Sequence, residues 1–213
     1  MKLKTHDLTL IGMFGAICCI LMYFDFPIPL MPPFMSFDFS GIVEVIGGFA
    51  MGPVQAVAII VVKLLLKLVT QGTNSAFTGE IQNFILSCAY VLPPVLLYHH
   101  KKTKKNAVIG MAVGSVLCSI VAAFSNIYLI IPFYMALMGK EMDYFVSMCT
   151  ETNPFIKDVF GMVILGIVPF NLIKCGVHSV FANILYKRLS PLLHGRVESV
   201  RKARTQDEAG ILD

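Results

Sequence analysis

Long apolar segments separated by short polar ones run through most of the chain. The clearest is the stretch 106–138, which has no charged residue and exceeds the roughly 20 residues that an α-helix needs to cross a bilayer. The same pattern recurs along the chain and predicts six membrane spans. They lie near Leu8–Phe24, Phe39–Met51, Pro53–Val69, Glu80–Tyr98, Ala107–Ile131 and Val159–Tyr186. The second of these is short and the last is long enough to tilt in the bilayer.

Composition supports this interpretation. Of the 213 residues, 56% are hydrophobic and 14% are charged, whereas soluble domains average about 25% charged residues. We therefore expect an all-α membrane protein built as a six-transmembrane-helix bundle. A single transmembrane substrate-binding domain is predicted over residues 1–193, followed by a basic cytoplasmic tail over residues 194–213.

The basic residues of the loops orient this bundle. Twelve of the seventeen Lys and Arg residues lie before the first predicted span, between the fourth and fifth, or after the sixth. They are Lys2, Lys4, Lys101, Lys102, Lys104, Lys105, Lys187, Arg188, Arg196, Arg201, Lys202 and Arg204. Six spans place all three segments on one side, which the positive-inside rule assigns to the cytoplasm. We expect a multi-pass protein of the cell membrane with both termini cytoplasmic, whose basic patches contact lipid headgroups rather than nucleic acid.

The six cysteines do not suggest a metal centre. Five of them lie in predicted spans, and none forms a Cys-x-x-Cys pair. Small buried thiols are the better interpretation, and neither a disulfide nor a metal site is expected.

Charged residues within the apolar stretch 37–84 need an explanation, because a charge inside a membrane must be paired, hidden or used. The Gly52-Pro53 dipeptide divides this stretch into two helices. Lys63 lies deep in the second helix and can pair with Glu44 of the first. A structural ion pair and a role in ligand binding remain open at about even odds.

Two polar residues open the fourth predicted span. Glu80 lies at its start, where a carboxylate complements the helix N-terminus, and capping alone would explain it. Asn83 follows three residues later on roughly the same face. Its amide within an apolar helix is the stronger candidate for ligand contact.

Further candidate ligand-binding residues lie in the last two predicted spans. Asn126 precedes Pro132 near the outer edge of the fifth span, where a local break in the helix would free backbone groups for a ligand. Asn171 and Lys174 are three residues apart and share one face of the sixth span. We favour ligand contact over structural pairing for these two residues. His178, one turn deeper, is expected to serve packing or hydrogen bonding.

Two other segments have alternative interpretations. The proline-rich segment Phe26–Phe37 cannot form a continuous helix, and it is either a packed connector or, as we slightly favour, a gate over an apolar ligand. Small residues at Gly12, Gly15 and Ala16 would let a second helix approach closely. They serve either packing within the bundle or docking onto a separate membrane subunit.

These residues together resemble a known family. The matching stretches are DFSGIVEVIGGFAMGPVQAVAIIVVKLLLKL from Asp38, TGEIQNF from Thr78, NIYLIIPFY from Asn126 and PFNLIK from Pro169. Nearly the whole chain resembles the substrate-binding S components of energy-coupling factor (ECF) vitamin transporters, most closely those specific for riboflavin. Departures are the outer loop 139–157 and the tail beyond Leu193.

The resemblance implies a function. Such a protein captures its vitamin at the outer face, with the first outer loop as a lid. It delivers the vitamin inward with a transmembrane T component and two cytoplasmic ATPases. Riboflavin would be the transported ligand rather than a cofactor, and no enzymatic activity or catalytic residue is expected. The family's site implies ligand contacts from Asn126, Asn171 and Lys174, with weaker support for Asn83 and Glu80. The first span, with Gly12 and Ala16, would face the T component.

Other functions remain open. The nearest alternative is an S component for another vitamin or precursor, such as pantothenate. A secondary carrier that needs no partner is less favoured, because no pair of matching halves is evident. An intramembrane enzyme is least favoured, because Glu44, Glu80 and His178 lie in three different predicted spans with no recognised motif spacing.

Overall fold

The structure is a computed structural model that describes residues 5–73 and 75–186. Its helices, in chain order, are α1 (Thr5–Met22), α2 (Ser40–Met51), α3 (Pro53–Gln71), α4 (Thr78–His100), α5 (Lys104–Met138), α6 (Met142–Thr152) and α7 (Val159–Tyr186). Two short strands, β1 (Phe26–Pro27) and β2 (Ser36–Phe37), pair antiparallel between α1 and α2. Almost all of the regular structure described is therefore helical.

Five of these helices are long and apolar enough to cross a membrane, namely α1, α3, α4, α5 and α7. This confirms the prediction of an α-helical membrane protein for the described residues. The second predicted span corresponds to α2, whose 12 residues extend about 18 Å at about 1.5 Å per residue. That length falls short of a hydrocarbon core of roughly 30 Å. The count of six spans and the side of the termini thus stay predictions, and the tail 194–213 lies outside the described residues.

The break between α2 and α3 lies where the sequence predicts it. Gly52 adopts a φ of 116°, in the left-handed region that glycine tolerates. Pro53 then begins α3, where its missing N–H costs no hydrogen bond. The first loop (residues 23–39), the end of α3, the start of α4 and the loop 139–158 gather at one end of the bundle, because Gln71, Gly79 and residues of the first loop line one cavity and Asn153 contacts Leu30. We call this the cavity end, and the opposite end the terminal end.

The terminal end is held by close helix contacts and aromatic packing. A Cβ atom at Gly110 of α5 would lie 2.3 Å from the Cα atom of Pro94 in α4, so glycine permits the two backbones to approach closely. Phe49, Tyr98 and Tyr186 pack against one another, with ring centroids 4.9–5.7 Å apart. This packing fixes the relative positions of helices that extend to the cavity end.

The expected helix break near Asn126 takes a different form. Residues Asn126–Ile130 form a π-helical segment, and the helix then continues through Pro132 to Met138. A second π-helical segment, Met162–Ile167, lies near the start of α7. A π turn inserts one residue into an α-helix without ending it, and such turns frequently occur at functional sites.

The first loop, residues 23–39, is pinned to its neighbours at the cavity end. Pro32 packs so closely on Gly166 of α7 that a Cβ atom there would lie 2.8 Å from the proline ring. The carbonyl of Leu30 accepts a hydrogen bond from Asn153 Nδ2 at 3.2 Å. Part of the loop predicted over residues 139–157 is α6, which buries Phe145 and Cys149. It forms a helix because its apolar residues recur on one face.

Candidate ligand-binding site

A cavity of about 290 Å³ opens at the cavity end. Residues from the first loop and from α1, α2, α3, α4, α5 and α7 line it. Its walls carry aromatic rings, including those of Phe34, Tyr90, Tyr134 and Phe170, together with a few polar side chains. Apolar walls with a small number of placed polar groups are typical of sites for small organic molecules.

Two buried asparagines line the cavity from different helices. The amide nitrogen Nδ2 of Asn126 donates to the carbonyl of Ala122 at 2.7 Å, and that of Asn171 donates to the carbonyl of Ile167 at 2.9 Å. Because each nitrogen is held by its own helix, the orientation of both amides is fixed. The second N–H and the carbonyl oxygen of each side chain remain for other partners, apart from a long contact of Asn171 Oδ1 with Cys118 Sγ at 4.0 Å.

Lys174 reaches the cavity wall one turn after Asn171. Its Nζ atom donates to Asp38 Oδ2 at 2.7 Å and to the carbonyl of Ser36 at 3.2 Å. Asp38 precedes α2 and lies outside the helices. Burial raises the pKa of the Asp38 carboxyl, but the ammonium groups of Lys174 and Lys63 outweigh burial and hold the pKa below its usual range. The lowered pKa favours the carboxylate form of Asp38.

A second ion pair lies at the cavity, where Glu44 lines the wall and Lys63 lies behind it. Lys63 is fully buried and pairs with Glu44, as the sequence indicates. Its Nζ atom also donates to Asn83 Oδ1 at 2.9 Å and to the hydroxyls of Ser87 and Ser40 at 3.3 and 3.4 Å. Because Asn83 Oδ1 is held in this way, its amide nitrogen is the group left to face the cavity.

Glu80 does not line the cavity, although its neighbour Gly79 and its ion-pair partner Lys67 do. Its carboxylate accepts hydrogen bonds from Lys67 Nζ at 3.2 Å and from the hydroxyls of Thr73 and Ser75 at 3.1 Å. These contacts tie the α3–α4 loop to the start of α4, where the N-cap residue Phe77 forms no side-chain cap hydrogen bond. A ligand role for Glu80 stays a prediction, as do those of Asn83, Asn126, Asn171 and Lys174.

The small residues of α1 separate into two groups. A Cβ atom at Gly15 would lie 2.5 Å from Val62, so this glycine serves packing against α3. Gly12 is exposed, with no atom within 4 Å of its Cβ position, and Ala16 is partly exposed. The face of Gly12 and Ala16 thus remains accessible for the predicted docking.

Sequence reasoning missed two features of the site. Asp38 binds Lys174 across 136 positions of the chain, a distance that no local pattern reveals. Gln82 also lines the cavity and donates to Ser125 Oγ at 2.9 Å, while its Oε1 atom is buried with no hydrogen-bond partner among the described residues. The sequence signal for Gln82 was its place beside Asn83 in an apolar helix.

The family model described as "ECF transporter, substrate-specific component" matches residues 6–186. The chain belongs to this family. This match over most of the chain confirms the resemblance to the S components that the four sequence stretches indicate.

Individual relatives agree with this assignment. The S component is 28% identical over 191 residues to the "Riboflavin transporter RibU" of Staphylococcus aureus (strain TCH60), covering 89% of this chain and 93% of that relative. It is 26% identical over 190 residues to the "Riboflavin transporter FmnP" of Bacillus subtilis (strain 168), covering 89% and 94%. These relatives are named as transporters rather than as enzymes.

A solved structure shares the fold. It is titled "Structure and mechanism of the S component of a bacterial ECF transporter" and matches with a TM-score of 0.69 and 28% sequence identity. The match covers 88% of this chain and 97% of the other. The likeness thus includes nearly all of the described helices.

Proposed function

We propose that this S component binds riboflavin in the cavity between the first loop, α4, α5 and α7. The observation that carries the proposal is the convergence of Asn126, Asn171 and Lys174 on one cavity in a chain whose near-full-length relatives are named riboflavin transporters. The convergence of these three residues from two helices supports a common ligand.

The chemistry of the cavity suits a flavin. Riboflavin joins a flat ring system, with carbonyl groups and one N–H, to a chain of hydroxyls. The aromatic walls can pack against the ring. The fixed amides of Asn126 and Asn171 offer both donors and acceptors, and Lys174 and the amide nitrogen of Asn83 offer donors. Buried polar groups that lack a partner are costly, so this pattern selects a ligand with matching atoms.

The transport cycle extends the proposal. The cavity end faces outward and both termini lie in the cytoplasm, with α2 completing a set of six spans. The S component hands riboflavin inward together with a T component and two cytoplasmic ATPases. The accessible face of Gly12 and Ala16 on α1 supports docking onto the T component.

A fluorescence titration tests ligand binding directly. Purified protein in detergent should quench riboflavin fluorescence in a saturable manner, because the ring would become enclosed by aromatic and polar groups. Mass spectrometry of the ligand that copurifies with the native protein should identify riboflavin. A different vitamin in this experiment, or no quenching, would contradict the proposal and favour an S component for another compound.

Alanine variants test the site. Asn171→Ala and Asn126→Ala should each weaken riboflavin binding about ten- to hundredfold, because each removes a buried hydrogen-bonding amide. Asn106→Ala is the matched control, since Asn106 lies at the terminal end and bonds to the carbonyls of Leu97 and Lys101. Unchanged affinity in both cavity variants would remove these asparagines from the site.

Vesicle uptake separates the transport mechanisms. Reconstituted S component alone should not accumulate riboflavin without ATP, whereas addition of a T component and the two ATPases with ATP should start uptake. Uptake by the S component alone in ATP-free vesicles would indicate a secondary carrier instead.

A further inference from the structure

Asp38 has more polar contacts than an exposed loop carboxylate would have. It is 4% exposed. Its Oδ1 atom accepts hydrogen bonds from the backbone N–H of Ser40 at 2.8 Å and from the hydroxyl of the same residue. Its Oδ2 atom accepts from Lys174 Nζ at 2.7 Å. One carboxylate thus joins the start of α2 to the middle of α7.

The same contacts restrict Lys174. An ammonium group has three N–H donors, and Lys174 directs them to Asp38 Oδ2 and to the carbonyl of Ser36. One donor remains. Because Lys174 lines the cavity, that donor is available to a ligand, and the charge of the ammonium is already balanced by Asp38. The geometry favours a neutral acceptor on the ligand, such as a carbonyl oxygen or a ring nitrogen.

The backbone around Asp38 is fixed to α7 as well. The Nε2–H of His178 donates to the carbonyl of Asp38 across 2.6 Å, and the ring of Phe37 lies 5.5 Å from that of His178. Gly41 makes room for the imidazole, because a Cβ atom there would lie 2.4 Å from His178 Nδ1. Asp38 is therefore held rigidly, as a residue that orients another must be.

We propose that Asp38 is a positioning residue: it holds the ammonium of Lys174 at the cavity wall with one N–H directed to a neutral acceptor on the ligand. The inference deepens the proposed riboflavin site and rests on it. Asp38 acts through Lys174, so its contribution to affinity exists only while the lysine is present. The same contacts keep the end of the first loop fixed to α7 while the ligand binds.

A double-mutant cycle on riboflavin affinity tests this role, using the full chain in detergent. Lys174→Met should weaken binding about ten- to hundredfold. Asp38→Asn should weaken it about tenfold in the wild-type background and less than about twofold in the Lys174→Met background, because a residue that acts through its partner is not additive with it. Asp158→Asn is the matched control. Asp158 caps α7 through the backbone N–H of Gly161, and its effect should be equal in both backgrounds.

Two further measurements keep the test decisive if a single variant folds poorly. The double variant Asp38→Asn/Lys174→Met should unfold at a higher temperature than Lys174→Met alone, because it removes the unpaired carboxylate, yet its riboflavin affinity should stay as low. Asp38→Glu, which keeps the charge, should bind riboflavin more tightly than Asp38→Asn.

The outcomes separate this inference from the function on which it rests. Absence of riboflavin binding by the wild-type protein would overturn the proposed function and the inference together. Wild-type binding with equal losses from Asp38→Asn in both backgrounds would assign Asp38 a merely structural role and overturn the inference alone. Affinity of Asp38→Glu no better than that of Asp38→Asn would do the same.

Discussion

Two ion pairs lie at the cavity, and they differ in their burial and in their other hydrogen-bond partners. In the Glu44–Lys63 pair both side chains are 1% exposed. Lys63 also donates to three further groups, so it has no donor left for a ligand. In the Asp38–Lys174 pair the lysine side chain is 19% exposed, lines the cavity and retains one donor. The first pair fits a structural role and the second fits recognition.

The comparison shows how a membrane protein can use the same chemistry for two purposes. An ionisable residue inside a membrane is by default a candidate for function, yet Lys63 would be a poor ligand-binding residue because its hydrogen-bonding capacity is already filled. Lys174 differs from Lys63 both in its exposure, 19% against 1% for the side chain, and in its remaining capacity for hydrogen bonds. The hydroxyl of Ser40 lies between the pairs, since it accepts from Lys63 and donates to Asp38.

Replacing Lys63 should have the largest effect on folding. Lys63→Met leaves the carboxylate of Glu44 buried without its partner, which should lower the free energy of unfolding by about 3–5 kcal/mol. Thermal unfolding of the purified protein in detergent measures this loss. The double variant Glu44→Gln/Lys63→Met should recover most of it, because no unpaired charge remains. Equal stability of the single and double variants would contradict a structural role for the pair.

A methyl group at Gly41 should lower stability by an intermediate amount, and it should disturb the Asp38–Lys174 pair. In Gly41→Ala the new Cβ atom would meet the ring of His178 and push it from the carbonyl of Asp38. Overpacking of this kind should lower the free energy of unfolding by about 1–3 kcal/mol, and riboflavin affinity should fall with it. Gly176→Ala on α7 is the control, because no atom lies within 4 Å of its Cβ position. Similar losses in the two variants would show that the contact with His178 is unimportant.

Removal of the Ser40 hydroxyl, which lies between the two ion pairs, should have the smallest effect on stability. Ser40→Ala should lower the free energy of unfolding by about 1 kcal/mol, the usual net contribution of a hydrogen bond. Riboflavin affinity should fall slightly, because Asp38 loses one of the groups that hold it. The exposed Ser147, which donates to the carbonyl of Tyr144, provides the control variant Ser147→Ala, with an expected change below about 0.5 kcal/mol. A stability change in Ser40→Ala without any change in affinity would indicate that the two pairs act independently.

Local patterns in the sequence predicted those features that depend on neighbouring residues. The apolar segments located the long helices, and Gly52-Pro53 located the turn before α3. The pairing of Glu44 with Lys63 could be predicted because two adjacent antiparallel helices place these residues at similar depth. The family resemblance singled out Asn126, Asn171 and Lys174, which the structure brings to one cavity.

Contacts between distant segments could not be predicted in this way. Asp38 meets Lys174, and Asn153 meets Leu30, across more than a hundred positions. Such contacts depend on how the helices pack, and a single sequence holds no local signal for that arrangement. The helix α6 was also missed, because it lies within the segment 139–157, which was predicted to be an outer loop.

Each of the two π-helical segments changes the direction in which the later side chains of its helix point. An α-helix turns by about 100° per residue, so one inserted residue rotates everything beyond it relative to everything before it. The segment Met162–Ile167 therefore sets the angle between Val159–Gly161 before it and Asn171 with Lys174 after it. Gly166 within this segment packs on Pro32, and Lys174 beyond it donates to the carbonyl of Ser36, so one helix meets the first loop at two positions. The single extra residue sets the rotation that brings both positions to the same loop.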